Sequence, residues 1–67
     1  MPAPHNTHLN FNHLRRGLTY RATTAAGYAV GEYLGMEALH GDRAVLLRNA
    51  DGYESIYQHD IVMIEAA

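Results

Sequence analysis

Two short runs, Val45-Leu46-Leu47 and Ile61-Val62-Met63-Ile64, are apolar at every position. Side chains alternate between the two faces of a strand, so a half-exposed antiparallel strand alternates apolar with polar residues. Strands like these have two faces to shelter. The chain has only 67 residues, and a domain of this size buries roughly 60% of its unfolded surface. Either a short helix and loops shelter the second faces, or a neighbouring copy packs there and continues a sheet edge. Small domains usually lean on disulfides, a metal or a partner subunit. There are no cysteines, which removes disulfides and thiolate metal sites. Assembly with copies of itself is therefore the expected support.

The other signals are those of one small β domain. Residues 1–6 are rich in Pro and Asn and read as a disordered tail, with the single domain over residues 7–67. A short helix is expected over about residues 8–16: Asn6, Thr7 or Asn10 can cap it, Phe11 and Leu14 share a face, and Gly17 can end it. Arg15 and Arg16 fall in its last turn, where cations suit the helix dipole. Strands follow at about 18–24, 28–36, 43–49, 53–57 and 61–65. Residues 37–42 read as a loop, and Asn49-Ala50-Asp51-Gly52 is the strongest hairpin signal. Gln58-His59-Asp60 reads as a short break or 3-10 turn. Gly31 and Gly35 lie inside the second strand, where glycine marks a bend or close backbone approach. Five short strands with such bends predict a mostly β, five-stranded SH3/Sm-like barrel behind a short N-terminal helix.

Formal net charge is −2, and all five cations are arginines, at positions 15, 16, 21, 43 and 48. An acidic balance argues against sequence-blind duplex DNA binding, which rests on phosphate neutralisation. Local patches can still bind nucleic acid, and Arg15-Arg16 is the one adjacent pair of cations. No apolar stretch approaches a membrane span, and the first residues lack a basic-then-apolar signal, so a cytoplasmic protein is expected.

Four stretches carry a resemblance to a known family. They are Phe11-Asn12-His13-Leu14-Arg15-Arg16, Ala26-Gly27, Ala44-Val45-Leu46-Leu47-Arg48-Asn49 and Ile56-Tyr57-Gln58-His59-Asp60-Ile61. In order and spacing, over residues 11–64, they resemble the bacterial Sm-like proteins, the Hfq family of RNA chaperones. The resemblance implies a homo-oligomer, with a hexameric ring as the form to test, that binds single-stranded RNA. It implies that His59 stands at the mouth of a central pore with Gln58 and Tyr57 beside it. It places Arg15 and Arg16 in a rim patch, Arg43 where a base-stacking aromatic stands in the family, and Tyr28 and Tyr33 on the face used for adenine-rich RNA. Four departures accompany it: Gln58 replaces the family's pore lysine, Asp42-Arg43 replaces its Gln-Phe pair, the turn from Gly27 to Gly31 is one residue short, and the loop before the third strand is longer.

The residue types suit that role. A neutral histidine donates to or accepts from a base edge and also stacks. An arginine plane stacks on a base or holds phosphate, and tyrosines offer stacking faces. Each residue also has an ordinary use: His59 as the pin of a turn, Arg15 and Arg16 as solubilising charge, Arg43 in a surface ion pair, the tyrosines as packing. His5, His8 and His13 lack the partners of a metal site. No phosphate loop is present, no nucleophile has a base and orienter, and Asp51 and Glu54 flank an ordinary hairpin, so neither catalysis nor a cofactor is expected. A protein-interaction module without nucleic acid is the alternative. A third reading is a type II dihydrofolate reductase-like enzyme, from the likeness of Glu54-Ser55-Ile56-Tyr57 to that family's Val-Gln-Ile-Tyr, although the chain contains no lysine.

Overall fold

From Thr19 onward the chain runs as five antiparallel strands: β1 Thr19–Thr24, β2 Gly27–Leu39, β3 Asp42–Asn49, β4 Gly52–Tyr57 and β5 Ile61–Ala66. They form one sheet in the order β4-β3-β2-β1-β5. The computed structural model describes residues 11–67. The expected tail and the start of the expected helix lie outside them. Within them the helix is not found: Phe11–His13 form a single 3-10 turn. So short a segment gains little from helix propagation, and it is held instead by packing of Phe11 and Leu14 against the core.

Each turn has a local cause. Between β1 and β2 the Thr24 hydroxyl accepts a hydrogen bond from the Ala26 amide at 3.2 Å. Between β3 and β4 the Asn49 side chain accepts from the Asp51 amide at 2.9 Å and donates to the Val30 carbonyl at 3.2 Å, so one residue closes the hairpin and ties it to β2. The expected loop over residues 37–42 is instead strand and a two-residue turn. His40 (φ 53°) and Gly41 (φ 85°) both adopt the left-handed conformation of a tight hairpin turn, and Leu39 pairs with Asp42. A second 3-10 turn, Gln58–Asp60, joins β4 to β5 and closes with the Ile61 amide donating to the Gln58 carbonyl.

The core lies on one face of the sheet: Tyr20 and Ala22 from β1, Tyr33 from β2, Val45 and Leu47 from β3, and Ile61 from β5. Complete burial of Val45 and Leu47 contributes about 1.5–3 kcal/mol each. A register slip between Tyr33 and Gly35 lets Tyr33 and Met36, three residues apart, both reach this core. Gly31 permits the close crossing of β2 and β3, since a Cβ there would stand 2.8 Å from the Arg48 carbonyl oxygen.

The sheet is unclosed: β4 pairs only with β3 and β5 only with β1, leaving two open edges among the described residues. The two apolar runs fare differently. Val45, Leu47 and Ile61 are buried, Leu46 and Ile64 are half-buried, and Val62 and Met63 remain 41% and 45% exposed. Met63, Thr23 and Tyr28 pair across β5, β1 and β2 and form one row on the face away from the core. No helix among the described residues is long and apolar enough to cross a membrane.

Candidate nucleic-acid interface

The β2–β3 turn and the 3-10 turn after β4 bring three aromatic side chains together. His40 is a non-glycine residue at positive φ, a conformation in which histidine is enriched. Its Nδ1 lies 2.9 Å from the Tyr57 hydroxyl. The Tyr57 and His59 rings stack with centroids 5.2 Å apart and planes 6° from parallel. His59 Nε2 stands 3.5 Å from Asp60 Oδ1, and the His59 side chain is 60% exposed, which leaves it accessible to a ligand. Gln58, between the two rings in sequence, is half-buried and carries no charge.

Register extends this cluster into a surface. Glu37, Ala44 and Tyr57 pair across β2, β3 and β4, and Gly35, Leu46 and Ser55 form the next row on the same face. The Ser55 hydroxyl donates to the Glu37 carboxylate, joining the two rows. The Arg16 guanidinium lies over Gly35, so one cation reaches this face. The hydrogen bond from the Gly17 amide to the Tyr33 carbonyl, at 3.0 Å, anchors the segment that carries it. Arg15 sits alongside, its backbone amide donating to the Tyr20 hydroxyl at 2.9 Å.

The five arginines divide into two groups. Arg21 pairs with Glu65 at 2.9 Å and lies over the Tyr28 ring, 5.8 Å from its centroid. Arg48 pairs with Glu32 at 2.6 Å. The hydrogen bond to Glu32, with the charge of that carboxylate and a hydrogen bond involving Tyr53, raises the Arg48 pKa above its ordinary value. Arg15, Arg16 and Arg43 are exposed and have no carboxylate partner among the described residues. These three are the arginines that the sequence nominates for RNA.

The nominated residues do not all meet. Tyr57, Gln58 and His59 are contiguous, and Arg16 shares their face. Arg43 heads β3 but alternates with Ala44, which places it on the opposite face from Tyr57. Tyr28 is 70% exposed on the first half of β2. Tyr33 is only 6% exposed and packs edge-on against Tyr20 in the core, so it presents no face to a base. Sequence reasoning missed His40. Its signal was the His40-Gly41 pair between two strands, which takes the place of the usual Asn-Gly turn.

A groove of about 510 Å³ lies between the β1–β2 hairpin and β4. Ala22, Ala29 and Ile56 are among its apolar lining residues, and Tyr28, Tyr57, Glu54 and Asp60 also border it. Its carboxylates disfavour phosphate. Among the described residues, no three His, Asp or Glu side chains gather to hold a metal ion. No family model, curated protein or solved structure matches the chain.

Proposed function

We propose that this chain is a small Sm-like barrel of the cytoplasm that assembles with copies of itself and binds single-stranded RNA, with no catalytic step. The RNA reading is carried by one observation, the parallel Tyr57–His59 stack with His59 exposed. A base added to such a platform gains about 1–3 kcal/mol. Arg16, on the same face and in no ion pair among the described residues, supplies the phosphate contact.

Assembly is supported by the two open edges and by the exposure of Val62 and Met63 on one of them. Joining the β4 edge of one copy to the β5 edge of the next is a head-to-tail contact, which makes a ring when the rotation closes; a hexamer is the form we propose. A ring repeats each His59 around one axis, turning a weak single contact into a multivalent one. Fluorescence anisotropy with oligo-U and oligo-A at low salt tests the RNA reading. Binding at micromolar concentration or tighter is expected, and its absence removes the claim.

A second reading is favoured by the groove beside β4. Its two carboxylates and two tyrosines suit a protein segment better than RNA. Capture from lysate followed by identification of protein and RNA separates the two. RNA enrichment lost in a His59→Ala, Arg16→Gln double variant argues for the first reading.

A further inference from the structure

We infer that RNA binding at the Tyr57–His59 face is switched by protons, with His40 as a second ligand-binding residue beside His59. The inference rests on the RNA reading above and adds its regulation.

The charges around Tyr57 come from four directions. His40 approaches from the β2–β3 turn. His59 and Asp60 belong to the 3-10 turn, which packs against β3. Asp42 shares a face of β3 with Ala44, and Glu37 lies across Ala44 on β2. Arg16 lies over Gly35 in the neighbouring row. With both imidazoles neutral, three carboxylates share this face with one guanidinium, and a polyanion is disfavoured. Histidine is the side chain that ordinarily changes charge between pH 5 and 8. Two imidazolium charges bring the face into balance and place one cation over the Tyr57 ring and one at its hydroxyl.

Protonation also reorganises the hydrogen bonds. Neutral His40 can accept from the Tyr57 hydroxyl at Nδ1 or donate to it, according to its tautomer. Protonated His40 can only donate. The Tyr57 hydroxyl then accepts from His40, and its own proton is freed to donate to a phosphate oxygen or a base carbonyl. Protonated His59 becomes a cation over the Tyr57 ring while still offering its outer face for stacking. Asp60, 3.5 Å from His59 Nε2, competes with phosphate for that charge and restrains the switch.

The test is oligo-U affinity from pH 8 to pH 5.5 at several salt concentrations. Uracil does not ionise in this range, so the change belongs to the protein. Affinity is expected to rise at least tenfold as pH falls. Each phosphate newly neutralised steepens the dependence of log K on log salt by about 0.7 for single strands, so two histidines give a change of about 1.4. His40→Asn, chosen because Asn tolerates the left-handed conformation, combined with His59→Gln should flatten the pH profile while circular dichroism shows the fold retained. Asp60→Asn should strengthen binding at low pH. Oligo-U binding that is independent of pH overturns the switch and leaves the RNA reading standing. No binding at any pH overturns both. A pH profile unchanged in the double variant assigns the effect to other groups and overturns the role of His40 and His59.

Discussion

The Arg16 guanidinium lies against Gly35, where a Cβ would come within 3.2 Å of its Nε and Nη2. Gly35 also has φ 134°, which a residue with a side chain adopts only under strain, at a cost of about 1–3 kcal/mol. Gly35→Ala is therefore expected to lower the melting temperature and to displace Arg16. In a domain of this size each kcal/mol is worth roughly 4–8 °C. Thermal melting by circular dichroism, with oligo-U anisotropy on the same sample, checks both effects. An unchanged melt contradicts the strain.

The division of the arginines predicts their effects on binding. Arg16→Gln removes a cation that has no ion-pair partner among the described residues, and the salt dependence of oligo-U binding should become shallower by about 0.7. Arg21→Gln and Arg48→Gln remove cations already engaged by Glu65 and Glu32, and the slope should stay within error. Equal losses at all three positions would show that overall charge, not this face, governs binding.

Tyr57 has two separable roles. Tyr57→Phe removes the hydrogen bond with His40 but keeps the ring under His59, so a stability loss of about 0.5–1.5 kcal/mol is expected with stacking intact. His59→Ala removes the exposed ring and should cost RNA binding about 1–3 kcal/mol, with little change in stability. Chemical denaturation and anisotropy read the two effects independently.

Exposed and buried apolar residues should part company on substitution. Val62→Asp with Met63→Asp changes side chains that are partly exposed in one chain, so the fold should persist while assembly is lost, as read by sedimentation. Leu47→Ala opens the core and should cost about 2–5 kcal/mol. A double variant that sediments like the parent places the contact between copies elsewhere.

Much of the sheet could be read from residue order, because its turns are encoded locally. Asn49-Ala50-Asp51-Gly52 announces its hairpin, and the break at Gln58-His59-Asp60 is the observed 3-10 turn. The end of β2 was not readable, because the register slip after Tyr33 interrupts the alternation that marks a strand. The same slip hides Tyr33, whose burial depends on a partner across the core, Tyr20, and not on its sequence neighbours. The His40–Tyr57 contact spans 17 positions and exists only because two turns meet, so no local motif could show it. Among the described residues the expected helix is absent for the opposite reason: its signals were local, and tertiary packing of Phe11 and Leu14 holds a 3-10 turn at Phe11–His13.

The most direct test is native mass spectrometry of the chain mixed with one equivalent of oligo-U per expected ring. A chain of 7.5 kDa that assembles through its open edges and gathers copies of His59 should appear as a multiple of that mass carrying RNA. A free 7.5 kDa species with no RNA attached, at protein concentrations well above micromolar, contradicts the account.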